Sequence, residues 1–151
     1  MNIVDEIDEI IKSITEILGG PLKRSEIKIV DRGCPHNPPK SLDGGAAVYM
    51  YIYSGTFLKV GKANKKSNPR FTSQHYRPKA AVSTLAKFLC KDEKWYKLGV
   101  NKDGSKVREW MLNNLQRIDI MIKCDDDEES KWITTLIEGI MQYKFRPKYE
   151  G

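Results

Sequence analysis

The chain has 151 residues, a length that suits one domain with one core. At 40% hydrophobic and 30% charged it reads as a packed globule, which excludes a disordered chain, and it has no apolar run near the length of a membrane span. A formal net charge of +6 favours polyanionic partners, chiefly nucleic acid.

Residues 2–18 place Ile3, Ile7, Ile10, Ile11, Ile14, Ile17 and Leu18 at helical spacing, with Asn2 as cap and Gly19-Gly20-Pro21 as stop. Residues 26–30 read as a short strand and 31–45 as a Gly/Pro-rich loop. Residues 46–53, rich in β-branched and aromatic side chains, form the first arm of a hairpin; Ser54-Gly55 makes the turn and 56–62 returns. After the polar loop 64–68, Pro69 opens a helix to about Tyr76. A second helix is expected over 79–90, with Val82, Leu85, Ala86 and Leu89 on one face, and a third over 105–115. Residues 117–123 alternate Ile118, Ile120 and Ile122 as a strand. The acidic run Asp125 to Glu129 complements the positive end of a last helix over 129–143, whose expected buried stripe is Trp132, Ile133, Leu136, Ile137, Ile140 and Met141. The fold expectation is α/β: a small, mainly antiparallel three-stranded sheet flanked by helices, with an extra N-terminal helix.

Three widely spaced cysteines, Cys34, Cys90 and Cys124, do not make a disulfide framework, and the first residues are acidic where a signal peptide is basic. A cytoplasmic location is expected. Lys and Arg crowd residues 59–108, a one-sided charge that suits a phosphate backbone. Trp95, Tyr96 and Trp110 suit either base stacking or core packing, with the core favoured for Trp110. Cys34-Pro35-His36 invites a zinc reading, but no second pair at ligand spacing follows.

Some residues carry chemistry. Tyr49, Tyr51 and Tyr53 alternate and share a strand face, which is ordinarily a packing pattern. Tyr49 could activate water if neighbouring cations lower its pKa, and Lys59, Lys62 and Arg70 are candidates for that field. Arg70 offers phosphate a bidentate fork. His75, ordinarily a surface histidine at such a place, lies just over one helical turn further on. Glu138, among Leu136, Ile137, Gly139 and Ile140, is an expensive carboxylate unless it is paired, at a helix edge or metal-bound. Gly139 leaves room beside it for a ligand or a close strand.

In this order the pieces resemble the GIY-YIG nuclease family. Ala47/Val48-Tyr49 corresponds to the first signature tripeptide and Lys59-Val60-Gly61 to the second. Residues 68–75 look like the family's arginine helix, Leu136-Ile137-Glu138-Gly139 like its metal-binding segment, and Phe145-Arg146-Pro147-Lys148-Tyr149 like its closing segment. The likeness covers residues 46–150. The chain departs from the pattern in three places. Ala47 or Val48 replaces the first glycine, Lys59 replaces the second tyrosine as in some restriction-type members, and Glu150 falls near the place of a usual asparagine.

The resemblance implies an N-terminal helix and loop extension over 1–45 and a nuclease-like domain over 46–151. It implies one-metal hydrolysis of DNA, with RNA not excluded, by a stand-alone restriction or defence enzyme. Glu138 would hold Mg2+ or Mn2+, Tyr49 would activate or position water, and Lys59 would polarise that water or act on Tyr49. Arg70 would stabilise the charged transition state, and His75 would assist proton transfer or bind phosphate. Lys62, Lys65, Lys66, Arg77 and Lys79 are the expected nucleic-acid contacts. Cutting both strands would require two sites, hence a possible homodimer with the isoleucine stripe as one candidate interface. The competing readings are a catalytically weak or inactive nucleic-acid-binding module on the same scaffold, and a protein whose basic face binds an acidic partner.

Overall fold

The computed structural model describes residues 2–20, 22–80 and 84–149. Pro21, Val82 and Glu150, named above as helix stop, helix face and departure from the family pattern, lie outside them. Helix α1 (Ile3–Leu18) begins at Asn2, whose side-chain oxygen accepts from the Asp5 N–H at 2.9 Å. It ends at Gly19, whose φ of 54° is the left-handed turn that closes many helices. Ile7, Ile11 and Ile14 are buried in the core, so most of the stripe is used inside the molecule.

Four strands follow the helix in chain order: β1 (Ile27–Gly33), β2 (Gly45–Tyr53), β3 (Thr56–Asn64) and, near the C-terminal end, β4 (Gln116–Lys123). They form one sheet in the order β1-β4-β2-β3, with every pairing antiparallel. The sheet therefore has four strands where three were expected. The short strand read over 26–30 is β1, which runs on to residue 33, into the expected loop, and pairs with β4 in the same sheet, so the segment before residue 46 contributes an edge strand as well as α1. β2 is central and buried from Gly45 to Ile52, which explains its near-continuous apolar run.

The sheet has two covered faces. On the first, Val48, Met50 and Ile52 of β2 and Ile118, Ile120 and Ile122 of β4 meet α1 and the last helix, α5 (Asp127–Phe145). On the second, Ala47, Tyr49 and Tyr51 meet three short helices: α2 (Asn68–Thr72), α3 (Leu85–Lys91) and α4 (Val107–Asn114). Trp95 and Trp110 pack in this second layer at 2% and 6% exposure, so neither is a free stacking platform.

Three local expectations change. The helix expected from Pro69 to Tyr76 breaks at Ser73, and residues 74–76 form a separate 3-10 turn. The helix expected from Lys79 starts only at Leu85, after Thr84 caps it with its hydroxyl. On α5 the buried stripe is Ser130, Ile133, Thr134, Ile137 and Met141, while Trp132 is 60% and Leu136 39% exposed. The face that meets the sheet is narrower than the hydrophobic pattern suggested, and these two side chains lie beside it. Among the described residues no helix is long and apolar enough to cross a membrane.

Candidate active site

The hairpin sets the site. Tyr49 lies opposite Gly61 and Tyr51 opposite Lys59. Tyr49 is fully buried, and its ring lies across Gly61: a Cβ added there would sit 2.5 Å from the Tyr49 hydroxyl oxygen and 2.6 Å from Cζ. Only glycine leaves room for the ring. Lys59 reaches the same face through a bulge. Ile52 pairs with Phe57 but Tyr51 pairs with Lys59, so Leu58 is the extra residue. Simple alternation from Phe57, which packs against α5 and Phe145, would have turned Lys59 to the other side. The bulge instead holds it in the tyrosine layer at 3% exposure, with Nζ 5.6 Å from the Phe88 ring centre. Residues beyond α5 buttress this spot: Lys148 N–H donates to Phe57 O at 3.0 Å and Tyr149 N–H to Leu58 O at 2.8 Å. Tyr149 also stacks on Phe88.

Tyr49 is the hub. Its hydroxyl lies 2.7 Å from His75 Nε2. His75 is fully buried rather than at the surface, because the break at Ser73 turns the following residues inward. Its other nitrogen, Nδ1, accepts from the Leu85 N–H at 3.1 Å. A neutral imidazole accepting at Nδ1 carries its proton on Nε2, so His75 donates to the Tyr49 oxygen. Arg70, half-buried on α2, hydrogen-bonds to the same oxygen, and the Glu138 carboxylate acts on it with opposite sign. With its oxygen accepting from two donors, the phenol is left to direct its own proton elsewhere.

The electrostatics follow from burial. The Tyr49 phenol is pushed above the ordinary phenol range because burial outweighs the lowering by Arg70 and Arg117. The condition set for Tyr49 as a base, cations that lower its pKa, is therefore met in sign but not in net effect. His75 is pushed well below its usual range by burial first, then by Arg70, Lys59 and Arg117. Around the hydrogen-bonded Tyr49–His75 pair, Arg70 thus acts on both rings, Glu138 on Tyr49 and Lys59 on His75.

Glu138 comes from α5, across the edge strand. Lys62 Nζ donates to Thr135 Oγ1 at 2.6 Å, and Gln142 Nε2 to the Val60 carbonyl at 3.4 Å. Thr135 and Gln142 lie one turn before and after Glu138, so these bonds hold the glutamate alongside Gly61. Outside its chain neighbours and the helix's own backbone, no atom of the described residues lies within 4 Å of where a Gly139 Cβ would stand; no described strand packs there. Among the described residues no three His, Cys, Asp or Glu side chains form a metal-binding group. A lone hard carboxylate is still what an ion that keeps most of its waters requires. His36 has both ring nitrogens engaged, Nδ1 with Leu115 O at 2.7 Å and Nε2 with the Tyr76 hydroxyl at 2.8 Å, which leaves none for zinc.

Sequence reasoning missed the layer beneath. Arg117 and Asp119 of β4 lie opposite Tyr51 and Tyr49, and both are fully buried. Burial works against the Arg117 charge, but Tyr51, Asp119 and Tyr76 hold the guanidinium protonated. The readable signal was Arg-x-Asp in a strand that had to be central.

Of the expected nucleic-acid contacts, Lys65, Lys66, Arg77 and Lys79 are exposed, and Lys62 is half-buried. Lys65 and Lys66 precede α2 and Arg77 and Lys79 follow the 74–76 turn, so they bracket the segment that carries Arg70 and His75. A groove of about 470 Å³ on the sheet, lined by Lys28, Arg32 and Lys123 among others, includes none of the five candidate residues. Comparison of the chain with protein-family models, curated proteins and solved structures finds no match.

Proposed function

We propose that this protein is a divalent-metal-dependent endonuclease that hydrolyses DNA phosphodiester bonds, a restriction or defence-type enzyme of the GIY-YIG kind. The observation that carries the reading is the convergence on the Tyr49 hydroxyl: His75 at 2.7 Å, Arg70 as second donor, and Glu138 acting from α5. Hydrolysis needs a placed water, positive charge for the phosphorus centre and help for the leaving oxygen.

In this reading Tyr49 positions the attacking water as a neutral phenol, since burial keeps its proton on. His75 stays neutral and fixes the phenol by donating to it. The Arg70 fork takes the phosphate oxygens on which charge builds. Lys59 adds fixed positive charge from the bulge, within reach of His75. Glu138 would hold Mg2+ or Mn2+, which when bound neutralises charge on the phosphate and its leaving oxygen. A homodimer would supply two sites for cutting both strands; sedimentation with DNA present tests that.

Plasmid nicking with magnesium tests the whole. Wild type nicks, and Glu138→Ala and Arg70→Ala each lose about 10²–10³-fold at unchanged far-UV circular dichroism. Equal nicking by wild type and Glu138→Ala removes the metal assignment. The second reading, a nucleic-acid-binding module without catalysis, draws on the proton-retaining phenol. It predicts DNA binding without nicking in every variant.

A further inference from the structure

Four hydrogen bonds leave the Arg117 guanidinium, and they end beside residues of the site. Nε donates to Asp119 at 2.9 Å. Nη1 donates to the hydroxyls of Tyr51 and Tyr76, both at 3.0 Å, and Nη2 donates to the Phe71 carbonyl at 2.7 Å. Tyr51 is two residues from Tyr49 on β2, Phe71 follows Arg70 on α2, and Tyr76 follows His75. The Phe71 carbonyl belongs to the last turn of a five-residue helix, where carbonyls lack helical partners, so Arg117 ties down the end of the helix that carries Arg70.

We propose that Arg117 is a positioning residue: its buried guanidinium joins the strand of Tyr49, the helix of Arg70 and the turn of His75 into one frame. The proposal rests on the nuclease reading above. The frame is closed behind Arg117. Asp119 also takes Arg32 Nε at 2.7 Å, and the Tyr76 hydroxyl is held by His36 Nε2. The flat cation lies among aromatic rings, 4.8 Å from the Phe71 centre, 5.2 Å from Tyr51 and 5.5 Å from Tyr49. Lysine cannot reproduce this, because one ammonium cannot span Asp119, two phenols and a carbonyl with a fixed planar fork. Stability alone does not call for a charge here, since well-packed apolar residues often replace buried ion pairs at no loss.

The test compares wild type with Arg117→Lys and Tyr76→Phe. The readouts are single-turnover nicking, DNA affinity, circular dichroism, and the ¹H–¹⁵N correlation spectrum of the His75 ring in the DNA-free protein. Arg117→Lys should keep the fold and DNA affinity, lose about 100-fold in nicking rate, and shift the His75 ring signals, because an error near 1 Å suffices for such a loss. Tyr76→Phe keeps the ring and removes the hydroxyl's two bonds, to Arg117 and to His36; it should lose about 10-fold in rate with affinity intact, a share of the same positional effect. It decides the matter if Arg117→Lys does not fold. Wild-type rate and wild-type His75 signals in the variants overturn the proposal. If wild type itself does not nick DNA, the nuclease reading falls. The His75 spectrum then still decides the frame: unmoved signals overturn it.

Discussion

Gly61→Ala is the sharpest perturbation available, because it adds one methyl and changes no charge. The new Cβ would stand 2.5 Å from the Tyr49 hydroxyl oxygen and 2.6 Å from Cε2 and Cζ, whereas ordinary contact begins at 3.4 Å. The phenol must therefore retreat by about 1 Å, toward rings already packed against it. His75 lies 5.1 Å away centre to centre, Tyr51 6.0 Å and Phe71 6.1 Å, and Tyr49 is fully buried among them. Overpacking of this kind costs about 1–3 kcal/mol. Alanine returns about 0.4–1 kcal/mol by restricting the unfolded chain. The balance is a loss of up to about 2.6 kcal/mol, centred on about 1.3 kcal/mol, which for a domain of this size lowers Tm by about 3–5 °C at the centre of the range. Nicking should fall about 100-fold, since the hydroxyl leaves its place by about 1 Å. Thermal denaturation and single-turnover nicking measure the two effects. Gly139→Ala is the control: outside its chain neighbours and the helix's own backbone no described atom lies within 4 Å of its Cβ, and it should stabilise α5 by about 0.5–1 kcal/mol. Wild-type Tm and wild-type nicking in Gly61→Ala would refute the placement of Tyr49 across the strand.

Two further outcomes follow from charge. His75 is held below its unfolded value near 6.5, so the unfolded chain takes the proton first. Stability is then full above about pH 6.5 and falls by about 1.4 kcal/mol per unit as the pH drops from there toward the folded value. His36, lowered mainly by burial, has the same sign. Tm should therefore fall between about pH 7.5 and about pH 5.5, and His75→Asn should flatten part of that slope; a level Tm in wild type would contradict it. DNA affinity should drop about 500-fold from about 50 to about 200 mM salt if Lys62, Lys65, Lys66, Arg77 and Lys79 all meet phosphates. A flat titration by fluorescence anisotropy would take the DNA surface elsewhere.

How far the fold was legible depended on whether local pattern and tertiary role agreed. They agreed in α1, where Asn2, the isoleucine spacing and Gly19 name both ends and the buried face. They agreed in β2, whose unbroken apolar run requires a central strand. They parted on β4. Its isoleucines were read correctly, but the alternating Arg117 and Asp119 carried no local sign of their role and form a buried ion pair. The bulge at Leu58 has no glycine to announce it; only the register shows that Lys59 and Gly61 share the tyrosine face. The burial of His75 depended on a helix break at Ser73 that no proline or glycine marks.

The two leading readings differ in where they need their charges. A module that only binds nucleic acid works through side chains that reach phosphates, and its basic residues belong at the surface. Lys65, Lys66, Arg77 and Lys79 satisfy that need alone. It has no use for Lys59 at 3% exposure, or for His75, Arg117 and Asp119 at 0%, each of which costs desolvation to bury. Nor does it need a histidine whose tautomer is set by the Leu85 amide so that it donates to one phenol. Groups held this deeply, in one protonation state and one orientation, are of use where a reacting atom must be met at a fixed distance. On the proposed reading the exposed basic residues would draw the chain to the backbone, and the buried set favours chemistry upon it over binding alone.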